Sequence, residues 1–414
     1  LFPVIALLIS HSSSIFLVLF AVAGIAVAAV YGRRIGLNRP EKSILWAFAM
    51  FPAAYLLSFA VNGLQGDLLD PRLKHLGDEL RMLLMVPIYL LFRQVRIAPF
   101  YLWNGIVIAA LAAGINAMYR YFWLAPGLRV SGSYDPIAFG DVSLVLGMMS
   151  LASFDTLAAR HRIYKWVVPA AFLAGMTASL LSATRGAWIA IPAMMIILFF
   201  YMHKYVSLVH RLGLVAVCLL VGIGLYLVPA TNVATRVQEV VQEVTDYLQG
   251  DVQYGGATYR ILGWRATGKI FRAHPVIGAG PGNYKPLVDQ MVARGELHEM
   301  TARHSQPGST FLMAAADCGL LGLITLMGIF LIPLWLSIRW IRNNENQVED
   351  IGYALLMLAV AFLHFGNFEA IFRRSFFTNF YIIMVAALAA TAFNAMIPNH
   401  SSNRIKKRPE VQHE

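Results

Sequence analysis

The sequence predicts an all-α polytopic membrane protein of about twelve transmembrane helices, with one large helical loop between spans nine and ten. Three observations carry this. Of 414 residues, 58% are hydrophobic and 13% charged, against about 25% charged in soluble domains. The apolar residues fall in continuous runs of about 18–22, long enough to cross hydrocarbon as helices. A transmembrane barrel would show alternating segments of about ten residues instead.

The spans read in order as 1–10, 14–31, 45–62, 80–92, 98–117, 137–154, 166–183, 187–201, a ninth ending near Pro229, then 309–337, 351–366 and 376–396. The first run has no basic stretch before it and no cleavage site after it, so no cleavable signal peptide is expected. Cys218 and Cys318 both sit in apolar runs and offer neither a disulfide framework nor a metal spacing. The division is 1–229 for spans one to nine, 230–308 for an inserted subdomain, 309–396 for the last three spans, and 397–414 for a basic tail.

Loop charges set the orientation. Of the 33 Lys and Arg, seventeen lie on one set of alternate short loops and the tail, eight on the opposite short loops, and eight in the large loop. The richer side is cytoplasmic. Residues 230–308, Arg185 and Arg373–Arg374 then share the outer side. The net charge of +11 follows from this topology, and no nucleic-acid partner is expected.

Within the insert, Val233, Val237, Val240, Val241, Val244 and Leu248 recur at helical spacing, so 231–248 reads as an amphipathic helix on the membrane or the spans. A second helix is expected from Thr258 to before Pro275. PVIGAGPGN (275–283) is a glycine-rich turn, and a third helix covers 284–295. Residues 259–304 are the one long polar passage, with seven Lys and Arg.

Several residues there suit the handling of an anion. Arg185 is the one charge in the hairpin between two apolar spans. It either snorkels to the interface or holds an anion in a bidentate fork, which lysine cannot form. Arg260 and Trp264 share a helix face at i and i+4, and Arg265, Lys269 and Arg272 extend the basic helix. GAGPGN is a tight turn whose amides offer an anion nest, but it lacks the context of a nucleotide loop. His298 and His304 precede the tenth span, and histidine is the natural base near neutral pH. HEMTARH supplies only His298, Glu299 and His304, so no metal site is expected. Asp317 reads as a structural polar contact. His364 and Glu369 are candidate lining residues.

These motifs resemble the O-antigen ligase (WaaL) family, in a wider Wzy-like superfamily of O-antigen polymerases and protein O-oligosaccharyltransferases. The matching features are Ser-Ala-Thr-Arg185-Gly at the head of a span, Arg260…Trp264, and the Pro275…Gly278-x-Gly280-x-Gly-Asn-Tyr284 turn. A histidine before a span with Phe311-Leu…Cys318-Gly319-Leu-Leu-Gly-Leu also matches, as does the Gly-Ser-Tyr-Asp-Pro loop at 132–136. The match covers roughly 130–325. Many members read His-x-His-Asn or His-Asn where this chain has His304-Ser305-Gln306; that leaves His298 and His304 both open, and His304 is chosen for its proximity to the span.

The resemblance implies an architecture like glycosyltransferases of the C type, in the bacterial inner membrane with its site on the periplasmic side. It implies an undecaprenyl-diphosphate-linked glycan as donor and a hydroxyl of lipid A–core oligosaccharide as acceptor. Transfer would invert the anomeric carbon, without metal or cofactor. Arg185, Arg260 and His304 are then the expected catalytic residues. Arg265, Trp264, Lys269, His298, Gly280, Tyr284 and Arg373 are the expected substrate-binding ones. The alternatives within the enzyme class are an O-antigen polymerase and a protein O-oligosaccharyltransferase, which the motif set does not separate well from a ligase. A transporter of polyprenyl-linked sugars is the reading from another class, and would show inverted repeats and charged or broken midplane helices; no repeat is evident. Sugar identity and oligomeric state are not encoded in these motifs.

Overall fold

The computed structural model describes residues 1–32, 35–62, 71–126, 128–213, 215–216, 233–253, 255–342 and 346–397. Among these residues every regular element is helical. In chain order the principal ones are α1 (Phe2–Leu8), α2 (Ser12–Tyr31), α3 (Arg39–Asn62), α4 (Pro71–Leu80), α5 (Met85–Val95), α6 (Pro99–Tyr119), α7 (Pro136–Leu151) and α8 (Phe154–Ala158). They continue with α9 (Tyr164–Leu181), α10 (Arg185–Tyr201), α11 (Val233–Gln249), α12 (Gly256–Ala273), α13 (Tyr284–Ala293), α14 (Thr310–Arg342), α15 (Asn346–Phe368) and α16 (Ser375–Ala395).

Among the described residues, eight helices are long and apolar enough to cross a membrane: α2, α3, α6, α9, α10, α14, α15 and α16. The chain is therefore a multi-pass membrane protein. Three other expected spans are shorter: α1 has 7 residues, α5 has 11 and α7 has 16. Helix α7 is buried without interruption from Ala138 to Ser150, and a helix enclosed by protein is not required to match the hydrocarbon thickness. Most of the expected ninth span and the basic tail lie outside the described residues.

The bundle closes around α16, which is buried without interruption from Phe376 to Phe393 and packs against α2, α5 and α15. Its aromatic residues join those of its neighbours: Tyr381 lies 4.7 Å from Phe362 and 5.9 Å from Phe330, centroid to centroid. Helices α6 and α7 pack on α9. Lipid tails are as apolar as leucine, so helices in a membrane associate by close approach of small residues. A Cβ on Gly175 would stand 2.7 Å from Gly147 Cα, so α7 and α9 meet backbone to backbone.

Charges gather at the helix ends. At one end Asn38 and Glu41 cap α3 reciprocally, each side chain accepting the other's amide at 2.9 Å. There Arg93 pairs with Glu41 at 2.5 Å, and Lys204 with Glu349 at 2.7 Å. At the other end Asp135 caps α7, accepting from the amides of Ile137 and Ala138 at 2.9 and 3.1 Å. The Pro136 that follows suits the first helical turn. This second end carries the insert and the functional candidates.

The insert's three helices fall close to their expected positions. Glu243 of α11 accepts the Ala257 amide at 2.7 Å and so places a carboxylate at the positive end of α12. Ile270, Tyr284, Val288 and Leu297 form a small core with Met313 and Ala316 of α14. That core seats α12 and α13 on the membrane bundle.

The glycine turn completes the seating. Helix α14 breaks at Gly319, whose φ is 61° and ψ −146°. The turn crosses the break: the amides of Ala279 and Gly280 donate to the carbonyls of Ala316 and Asp317 at 2.8 and 3.0 Å, and those of Leu320 and Leu321 to Pro275 and Val276 at 2.8 and 3.1 Å. Gly278 has φ +75°, and a Cβ there would lie 2.4 Å from the Asp317 carbonyl carbon. Gly278→Ala is expected to destabilise the protein by more than the ~1–2 kcal/mol that the left-handed conformation alone imposes. A lowered thermal unfolding midpoint in detergent checks this; an unchanged midpoint refutes the tight crossing.

Candidate active site

A cleft of about 500 Å³ opens at the end of the bundle that carries the insert. Four parts of the chain build it. Ala183, Thr184 and Gly186 come from the α9–α10 hairpin, and Arg260 from α12. Phe365, Phe368 and Glu369 come from the end of α15, and Arg129, Ile137 and Asp141 from the approach to α7 and its first turns.

The hairpin is fixed by its own short polar residues. Thr184 donates to the Pro136 carbonyl at 2.9 Å, and its hydroxyl meets that of Ser182 at 2.8 Å. Arg129 donates from Nε to the Ser182 carbonyl at 2.5 Å, and the Val130 amide to Leu181 at 3.1 Å. Arg185 is the first residue of α10, with Thr184 as its cap. The Arg185 side chain lies outside the described residues, but the residues on both sides of it line the cleft.

Arg260 stands with its guanidinium 5.0 Å from the Phe368 ring centroid, a cation–π arrangement. Burial lowers its pKa, and Glu369 pulls the other way. The group remains cationic, as arginine does in proteins. Glu369 is held by Arg374 at 3.2 Å, and Arg374 also pairs with Asp135 at 2.6 Å. Burial raises the Glu369 pKa, while Arg374 opposes the rise. Asp141 is 2% exposed, and its Oδ1 has no hydrogen-bond partner among the described residues.

His304 follows the short 3-10 turn Glu299–Arg303. Its ring packs edge-on against Tyr259 with centroids 4.1 Å apart, and Tyr259 immediately precedes Arg260. The Tyr259 hydroxyl donates to the Gln306 carbonyl at 2.9 Å, which ties the histidine segment to α12. Burial lowers the His304 pKa from its ordinary value, and the neighbouring Arg303 lowers it further. His298 lies elsewhere: it caps the same turn, its Nδ1 accepting the Met300 amide at 3.2 Å.

The remaining expected binding residues separate into two groups. Trp264, Arg265, Lys269 and His298 line a second groove beside α12. Gly280, Tyr284 and Arg373 are occupied within the fold. Gly280 gives its amide to Asp317, and Tyr284 is 2% exposed in the insert's core. Arg373 pairs with Asp317 and lies 3.4 Å from Glu79. Asp317 is thus the structural contact expected of it. His364 turns its Nδ1 to the Val360 carbonyl at 2.8 Å, while Glu369 lines the cleft as expected. Among the described residues no three His, Cys, Asp or Glu side chains converge as a metal ion would need.

Sequence reasoning passed over Asp141, Arg129, Phe365 and Phe368. For Asp141 a signal existed: it is the one ionisable residue in the α7 run, and such residues mark function by default. The two phenylalanines carry no signal, being indistinguishable from core residues.

Residues 170–327 match the family model for O-antigen ligase. The matched stretch runs from α9 into α14 and contains the Arg185 hairpin, Arg260, the glycine turn and His304. An uncharacterized protein of Haemophilus influenzae is 22% identical over 326 residues, 77% of this chain and 78% of that protein. By its motifs, its helical membrane fold and the match over residues 170–327, the chain resembles the O-antigen ligase family within the wider ligase and polymerase superfamily.

Proposed function

We propose that this protein is an O-antigen ligase of the bacterial inner membrane. It transfers a glycan from undecaprenyl diphosphate to a hydroxyl of lipid A–core oligosaccharide, by metal-independent inverting transfer at the periplasmic face. Residues 230–308 form the periplasmic subdomain. The observation that carries this reading is the cleft in which Arg260 of the insert meets the hairpin headed by Arg185, at the end of the bundle away from Arg93 and Lys204.

The chemistry is a displacement at the anomeric carbon. The acceptor oxygen forms the new bond as its proton passes to His304. The anomeric C–O bond to the diphosphate breaks, and its electron pair leaves on the diphosphate oxygen. Charge developing there needs fixed cations, which Arg185 and Arg260 supply. Burial and Arg303 both favour neutral His304, so the free base is in hand at neutral pH. Its place beside Tyr259 and Arg260 favours it over His298 as the base.

The lipopolysaccharide profile of a deletion strain tests the function. Core-only lipid A with accumulated lipid-linked polymer supports a ligase; caps of one repeat unit point to a polymerase. The base is tested by pH. In a purified transfer assay containing a chelator, activity should fall as His304 gains its proton, below the ordinary histidine pKa. Arg303→Gln removes a charge that disfavours the protonated ring. It should raise the His304 pKa and move the acid limb toward higher pH. A limb that ignores Arg303→Gln and moves on substitution of His298 assigns the base to His298.

A further inference from the structure

The groove beside α12 is separate from the cleft that holds Arg260. It encloses about 460 Å³ between α12 and the segment 296–298. Arg265, Lys269 and Arg272 line it at i, i+4 and i+7, the spacing of one helix face. One carboxylate, Glu296, faces these three cations; it lies 3.7 Å from Lys269 and 3.8 Å from Arg294, at a solvated rim. Arg265 is steadied with its guanidinium 5.2 Å from the Tyr247 ring. Trp264, at the edge of the groove, is 57% exposed.

We propose that this groove seats a phosphorylated saccharide, the anionic inner sugars of the acceptor, apart from the donor's diphosphate. The proposal rests on the transfer reaction above and adds where its second substrate lies. Guanidinium and ammonium groups in a row match phosphate esters spaced along a sugar chain. The exposed indole gives the apolar C–H face of a pyranose a flat partner whose N–H stays in water. The excess of positive charge also concentrates an anionic substrate at the mouth. Along the helix axis Arg265 lies about 7.5 Å from Arg260, and Arg272 about 18 Å. That rise is of the order of a few sugar units.

Trp264 itself reports the test. Purified protein in detergent is titrated with deacylated lipid A–core oligosaccharide, and with the same oligosaccharide after phosphatase treatment, following tryptophan fluorescence. Trp264→Phe identifies the signal among the eight tryptophans. The phosphorylated form should bind saturably and at least tenfold more tightly than the treated one. Arg265→Gln/Lys269→Gln/Arg272→Gln should remove that preference and raise the KM for acceptor, with the KM for donor unchanged. Arg260→Ala should bind the oligosaccharide normally. Equal binding of the two oligosaccharides, or a triple variant that keeps the preference, overturns the proposal. So does Trp264 quenching by phosphatidylglycerol vesicles without any phosphatase effect, which would make the groove a lipid-headgroup surface. The titration needs no catalysis, so it reads the groove even if the protein proves not to be a ligase.

Discussion

Arg260→Ala is expected to lower glycan transfer by about 10²–10³, the usual loss when one fixed stabiliser of developing charge is removed. The residue lines the cleft on the insert side, against Phe368 and opposite the hairpin of Ala183, Thr184 and Gly186. An apolar ring behind the guanidinium excludes water from one of its faces, so its charge acts through a lower dielectric than at an open surface. The fold should survive the change. Helix α12 is anchored by Leu262, Ala266 and Ile270, all buried, and by Gly263, where a Cβ would stand 2.8 Å from the Pro307 carbonyl oxygen. Arg185→Ala is expected to cost a similar factor, because it removes the other cation at the head of α10. The two should be far less than additive if both arginines hold one diphosphate. Arg260→Lys should recover only part of the rate, since lysine keeps the charge but not the bidentate fork. The readouts are lipopolysaccharide ladders in cells and transfer rates on purified protein, with membrane levels as the control. Near-normal ladders from both alanine variants would remove the diphosphate assignment.

Much of the site's raw material was legible in the sequence, but its grouping was not. Arg260 and the Arg185 hairpin stood out because charge is rare in this chain, and loop counting placed both on one side. The insert's helices were legible too, from valine periodicity and from Pro275. Three features escaped for physical reasons. Glycines at 278 and 280 read as a nest for an anion, yet their segment gives its amides to the carbonyls exposed by the break at Gly319. Nothing local to 275–283 announces a broken helix forty residues on. Asp141 carries a signal as the one ionisable residue of α7, but its place in the cleft emerges only once the hairpin and α15 are folded over it. Arg265 and Arg260 read as one basic helix, but five residues turn the side chain about 140° round the axis. They therefore serve different hollows.

Arg373→Ala is expected to unfold the protein more readily, by about 3–5 kcal/mol, the usual effect of removing one partner of a buried ion pair. Sequence reasoning placed Arg373 among the substrate contacts because it lies on the outer side with Arg185. The structure gives it another task. Its side chain is 6% exposed and reaches Asp317 and Glu79, themselves 0% and 2% exposed. Those acids come from α14 and α4, so the guanidinium joins three parts of the chain beneath the glycine turn. Without it, two carboxylates remain buried without the cation that spans them, and the pair must take up a proton or draw in water. The cost should shrink when the acids are neutralised as well: Arg373→Ala with Glu79→Gln and Asp317→Asn should be more stable than Arg373→Ala alone. Arg373→Lys should fall between, because a point charge on a flexible stem cannot serve both acids as a planar fork does. Thermal unfolding in detergent gives the ranking directly. An Arg373→Ala protein that keeps its melting temperature while its KM for donor rises would return Arg373 to the substrate site, and would mean that Asp317 and Glu79 tolerate burial without it.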